Sequence, residues 1–193
     1  MKTILFTLAV VLTFSVVTFA QDLWLDKPMD SNWNKGNGVV PAAPKNAGPI
    51  EAMCKPQIRP AESVADKALA RAGWYLYGAA QTYGNVTLVT AMAGHDGMCR
   101  PNEYNAFVFV ADRFAGTLSP NNSGARMDGA ISFVRLNDRT SLFAEFVRYS
   151  EDDPLCCPSR KTYVEYSLTS GARPVIKVDD TSTEDVCRPE TKP

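Results

Sequence analysis

Residues 105–118 read NAFVFVADRFAGTL, and the fold turns on how that stretch is taken. Along an extended chain successive side chains point to opposite faces, so Phe107 and Phe109 share one face and Val108 and Val110 the other. A strand that is apolar on both faces must be covered on both, which places it in the middle of a sheet. The short Asp112-Arg113 connection to FAGTL, residues 114–118, allows a hairpin but no crossover, so the two segments are expected to pair antiparallel.

Working outward from this pair, the same period of two recurs in WYLYGAAQ (74–81), VTLVTAMA (86–93), AISFVRL (130–136), SLFAEFVRY (141–149), TYVEYSL (162–168) and a weaker PVIKV (174–178). Turn residues such as Gly84-Asn85 and Asn137-Asp138 separate them. In SLFAEFVRY the face carrying Leu142, Ala144 and Phe146 is broken by Arg148, and the face carrying Phe143 and Val147 is broken by Glu145. That pattern predicts one side of the sheet covered by a helix and the other partly shielded.

The helix is expected upstream, in RPAESVADKALARAG (59–73). Pro60 suits a first turn, Glu62 sits near the positive end of the helix dipole, and Gly73 offers a stop. Val64, Ala68 and Leu69, extended by Ala65 and Ala72, form one modest apolar stripe. One helix ahead of a run of strands predicts an α+β domain: an N-terminal helix packed on a twisted, largely antiparallel sheet of about five to seven strands, braced by disulfides.

The expected domain spans residues 51–190. Ahead of it, 21–50 contains DSNWNKGNGVVPAAPKNAGP, thin in apolar residues and rich in Pro, Gly and Asn, and is read as a flexible arm. Trp24, Leu25 and Trp33 are its exceptions, and docking back onto the domain is the commoner fate of such aromatics. Residues 1–20 read as a signal peptide: Lys2, then ILFTLAVVLTFSVVTF, then Ala20 before Gln21, with Thr18 and Ala20 as the small residues at the cleavage site. A retained membrane anchor is the competing reading, but the apolar run is short for a span and is followed by acid rather than by a basic cluster.

Composition narrows the function. The chain has 20 basic and 21 acidic side chains, a balance that argues against a general nucleic-acid binder, which needs a basic stripe. No second apolar stretch approaches membrane-spanning length, so no membrane span is expected after signal removal. No cysteine closely follows the apolar run, which leaves no lipidation cysteine and predicts a secreted or periplasmic protein.

Cys54, Cys99, Cys156, Cys157 and Cys187 are the disulfide candidates of an exported chain. Adjacent cysteines in PLCCP (154–158) lack both the ligand spacing of structural zinc and the two-residue gap of a thioredoxin-like redox motif. On an extended backbone Cys156 and Cys157 would face opposite sides and take different partners, or one would bridge and the other lie buried. Connectivity is not deducible from the sequence, although Cys99 and Cys187 are expected to be tied to the central region.

The remaining polar features read as structural. His95, in AGHDGMCRP (93–101), is the sole histidine; it falls between strands with no triad motif near it, and nucleophilic hydrolysis is poorly supported. Glu151, Asp152 and Asp153 in SEDDP lack the alternating ligands of an EF-hand loop and read as a solvated turn. Asn85 and Asn121 stand in Asn-x-Ser/Thr sequons that matter only in a glycosylating host. No catalytic residue, cofactor or metal site is assigned.

FVFVADRFAGTLSP, a strand ending in Tyr149, and then DDPLCCPS and TYVEYSL together resemble the LppP/LprE-like family of bacterial exported proteins, many of them lipoproteins. In that family an FVF-D-x-x-GT strand pair precedes a Y-x-x-x-D-x-x-C-x-P-S segment and a final strand. The resemblance spans about residues 60–170 and implies a cell-envelope location more than an activity. The expected role is therefore that of a non-catalytic envelope module binding a protein, a glycan or a small ligand through an exposed sheet face or its loops, with Tyr75, Tyr77 and Tyr163 as surface aromatics. The alternative is a hydrolase using strand-borne carboxylates such as Glu145 and Glu165, which would need two of them about 5–10 Å apart in a cleft.

Overall fold

The computed structural model describes residues 23–27 and 32–186; the leader expected at 1–20 and Cys187 lie outside them. The strands form two antiparallel sheets instead of the single sheet of five to seven strands expected. The first contains β1 (Tyr75–Leu76), β2 (Gln81–Tyr83), β3 (Val86–His95), β4 (Pro101–Val110) and β5 (Arg113–Thr117). The second contains β6 (Ala130–Leu136), β7 (Ser141–Arg148), β8 (Arg160–Thr169) and β9 (Val175–Asp185), paired in that order.

β4 is central, lying between β3 and β5. Its two apolar faces meet two different covers. Val108 and Val110 turn toward the second sheet and pack with Leu142, Phe146, Tyr166 and Ile176. Phe107 and Phe109 turn the other way, into a second cluster with Ala65, Leu69, Trp74 and Val89. Each fully buried side chain of this size contributes about 1.5–3 kcal/mol, so this strand is a main source of stability.

Two tyrosines cross the space between the sheets. Tyr104 on β4 donates its hydroxyl to the Ile131 carbonyl on β6 at 2.7 Å, and Tyr166 on β8 donates to the Leu118 carbonyl just after β5 at 2.5 Å. Burial raises the pKa of both phenols, so they remain neutral donors. One edge is closed by Gln81, whose amide donates to the Val134 carbonyl and accepts from the Leu136 N–H.

WYLYGAAQ is not one strand. Gly78 takes φ +64°, and the chain breaks there into β1 and β2, which lie one after the other along the same edge of β3. The Thr90 hydroxyl takes up the freed Tyr77 carbonyl at 2.7 Å.

Helix α1 (Val64–Arg71) starts later than Pro60 suggests, because Ser63 is its cap: the Ser63 hydroxyl accepts the Asp66 N–H while the Asp66 carboxylate takes the Ser63 N–H, a capping box. Ala65 and Leu69 are buried, whereas Val64, placed on the apolar stripe by its spacing, is exposed. The helix contributes to the cluster on the first sheet. The face of β7 expected beneath a helix is covered instead by the first sheet. Hydrophobic period reports that a face is buried and is silent on what buries it.

Candidate binding cleft

The stretch expected as a flexible arm is held by specific bonds over residues 32–50. The Trp33 indole N–H donates to both the carbonyl and the hydroxyl of Thr117, each at 3.1 Å. The Asn34 side chain brackets the Thr117 backbone, accepting its N–H at 2.9 Å and donating to its carbonyl at 3.0 Å, and also reaches the Ile176 carbonyl at 3.3 Å. Asn34 thereby joins β5 to β9 in the place of a missing backbone rung. Gly116, at φ +145°, makes this possible, since a Cβ there would overlap both the Asn34 side chain and Ile176.

The far end of the arm is fixed as well. Trp74 donates its indole N–H to the Pro41 carbonyl at 2.7 Å, and the Ala43 N–H donates to the Ala72 carbonyl at 2.9 Å. Between these anchors Lys35-Gly36-Asn37-Gly38 makes a raised loop, with Gly36 and Gly38 in the left-handed region at φ +63° and +71°, conformations that glycine adopts without a steric penalty.

Beneath the loop lies an open cleft of about 430 Å³, within the range of small-ligand sites. Trp33, Trp74 and Phe114 supply rings, and Asn37, Asn121 and Asn122 supply amides. Lys35 is the one charged side chain lining it, and no carboxylate does so among the described residues. The Asn37 side-chain oxygen accepts the Val39 N–H, and the side chain is exposed. The Asn121 amide makes no side-chain hydrogen bond among the described residues. This loop falls within the stretch expected as a flexible arm. Its signal was the density of Asn, Gly and Trp at 32–38, a composition equally typical of an unfolded linker.

The residues singled out from the sequence are not brought together in the cleft, apart from Trp33 and Asn121. His95 ends β3, where its Nε2 accepts the Glu51 N–H at 2.8 Å and its Nδ1 lies 2.8 Å from the Asp96 carbonyl. Both ring nitrogens are engaged, and the residue braces the approach to Cys54. Asp153 accepts from the Ser150 N–H and from the N–H and hydroxyl of Ser159 at 2.7–2.9 Å, and these bonds hold its carboxyl below the usual range. SEDDP therefore ties off the β7–β8 connection.

Glu145 and Glu165 sit on the outer face of the second sheet. Glu145 accepts from the Ser132 hydroxyl and pairs with Lys161 at 2.9 Å, and Glu165 is exposed. Phe143 lies between Phe133 and Tyr163 on this face, at 6.4 and 5.8 Å between ring centres. Tyr75 is partly exposed at the edge of the first sheet, and Tyr77 packs against the core.

Cys54 and Cys99 are joined at 1.98 Å across 45 residues of sequence. Cys156 and Cys157 pair with each other, against the expectation of divergent partners. The Cys157 N–H donates to the Pro154 carbonyl at 2.8 Å, so the segment is a turn and the alternation of an extended chain does not apply to it. Among the described residues no group of three or more His, Cys, Asp or Glu is arranged to hold a metal, and no helix is long and apolar enough to cross a membrane.

Residues 82–171 match the family described as LppP/LprE lipoprotein, so the resemblance carried by 105–118 and 149–168 holds over β3 to β8. The raised loop at 35–38 lies outside the matched stretch. No curated protein and no solved structure matches the chain.

Proposed function

We propose that this chain, LppP/LprE-like over residues 82–171 and by that family an exported envelope protein, is a non-catalytic module that binds neutral glycans in the cleft beneath Lys35–Gly38. The observation that supports this reading is the lining itself: the half-buried Trp33 indole and the largely buried Trp74 and Phe114 rings beside amide donors and acceptors, without a carboxylate among the described residues. Sugars present apolar C–H faces and a rim of hydroxyls. Aromatic rings and planar amides meet those two features. The hydrolase alternative has less support, because Glu145 is committed to Lys161 and Ser132 on an open sheet face, whereas glycoside hydrolysis needs two free carboxylates flanking the scissile bond.

The test uses the exported protein and follows its tryptophan emission, since Trp33 and Trp74 both line the cleft. Titration with oligomers of glucose, of mannose and of N-acetylglucosamine should give a saturable change with at least one of them. Replacing Asn37 and Asn121 together by Ala should weaken that binding about tenfold or more, equivalent to about 1.4 kcal/mol. No change with any of the three series, or equal affinity of the double variant, rules the reading out.

A further inference from the structure

A second cleft, of about 570 Å³, shares its Gly36–Gly38 wall and Phe114 with the first but differs in charge. Arg113, at the start of β5, and Arg173, in the turn between β8 and β9, both line it, and Asp112 is the one carboxylate that does so among the described residues. The raised loop is seated on that turn: a Cβ on Gly36 would come within 2.5 Å of Val175 Cγ2 and 3.8 Å of Arg173 Cβ. Arg113 donates from Nη1 to the carbonyl of Ala172, the residue before Arg173, at 3.0 Å. That bond draws one guanidinium to the turn that carries the other, and it uses only one of five N–H donors.

Other arginines of the fold are gathered against carboxylates: Arg59 meets Asp66, Arg100 meets Asp96, and Arg148 meets Asp26 and Asp128. Neither Arg113 nor Arg173 forms an ion pair among the described residues, although Asp112 adjoins Arg113 in sequence. Two cations brought to one turn repel each other, and an anion held between them is attracted by both. Guanidinium forks match the oxygens of a carboxylate or a phosphate two at a time. The cleft is of small-ligand size, and Phe109, Phe114 and Val40 give it an apolar wall for an organic body.

We infer that this second cleft binds a small organic anion, a carboxylate or a phosphate ester, through Arg113 and Arg173. Lys35 lines the neighbouring cleft, so the two together set three cations against one carboxylate, Asp112, among the described residues. Such an excess raises the local concentration of anions around the loop. The site is independent of the glycan reading of the first cleft, since neither Trp33 nor Asn121 lines it.

The experiment titrates the purified protein with three ligands built on one sugar ring: glucuronate, glucose 6-phosphate and, as the neutral control, glucose. Isothermal titration calorimetry should show at least one of the two anions binding about tenfold or more tightly than glucose, and added salt should weaken it. Which anion binds distinguishes a carboxylate ligand from a phosphate ester. Arg173→Gln leaves the bond from Arg113 to Ala172 in place, so it should keep the thermal midpoint of the parent while weakening the anion about tenfold or more. No binding of either anion, glucose bound as tightly as they are, or parent affinity in Arg173→Gln overturns the inference. The neutral oligomers of the first cleft are scored separately by tryptophan emission, so either reading can fail without the other.

Discussion

The guanidinium of Arg148, 3% exposed at the end of β7, donates to both carboxylate oxygens of Asp26 at 2.9 and 2.8 Å. Its Nε donates to Asp128 at 3.1 Å and a further nitrogen reaches the Thr162 hydroxyl. Asp26 follows Leu25, which is buried in the core between the sheets, and Trp24, which meets Phe146 edge-on at 5.3 Å. The charge that interrupts the inward face of SLFAEFVRY is thus the anchor for residues 23–27. Arg148→Met should lower stability by about 1–3 kcal/mol, because its charged hydrogen bonds to Asp26, Asp128 and Thr162 are lost while both carboxylates stay partly open to water. Asp26→Asn should cost less, since Asp128 remains. Urea unfolding of both variants checks the order, and equal losses would remove Arg148 from this role.

Acid should weaken the cap of α1. Burial pushes the Asp66 carboxyl up, but the bonds from Arg59 and Ser63 and the Arg59 charge outweigh it and hold it at about 2, against 3.8 for the free group. A carboxyl whose pKa is lower in the folded state binds fewer protons there than when unfolded, so its contribution is complete above about pH 4 and is lost as pH falls toward 2. Asp138, held at about 2 first by the Thr140 N–H, adds loss of the same sign in the same window. In Asp66→Asn the midpoint at pH 6 should drop by an amount matching about 1–2 kcal/mol for the cap, while its further fall between pH 4 and pH 2 should be shallower than in the parent. Parallel pH profiles would show that Asp66 carries none of the acid sensitivity.

The Cys54–Cys99 bridge closes a loop of 45 residues around α1 and the first strands, with Cys54 only 1% exposed. Replacing both by Ala should destabilise by about 2–4 kcal/mol and lower the Tm by about 5–10 °C. An unchanged calorimetric midpoint would mean that the buried contacts of Cys54 hold the short 3-10 helix Ala52–Gln57 in place without the crosslink.

Gly116→Ala tests the seat of the cleft. The left-handed φ and the overlap with Asn34 and Ile176 should together cost about 1–3 kcal/mol. Displacement of Asn34 should also release the 33–42 stretch, so limited proteolysis should cut there faster than in the parent. Normal stability with unaltered cleavage would contradict the close approach.

Local periodicity carried much of the fold. β3 to β8 stand where alternating runs were read, and Phe107 to Val110 are buried on both faces because a strand with no polar side must be enclosed. The helix was legible in its Ala-rich stripe, whereas its start was read too early, at Pro60 and Glu62, because the cap is Ser63. SEDDP read correctly as a turn, because short acidic side chains beside Pro favour local bonds to backbone N–H groups. Each of these signals is carried by residues within a few positions of one another.

Tertiary structure alone decided what lies more than a strand apart in sequence. The split into two sheets with the core between them depends on which buried face meets which, and one apolar face resembles another in its pattern. The pairing of Asn34 with Thr117 across 83 residues, and of Arg148 with Asp26 across 122, has no local signature. Such contacts order a stretch whose own composition is that of a linker. The same holds for PLCCP: the two cysteines were visible at once, but whether neighbours diverge or meet is set by the backbone between Pro154 and Cys157, and the chain turns there only because Asp153 and Ser159 close the connection around it.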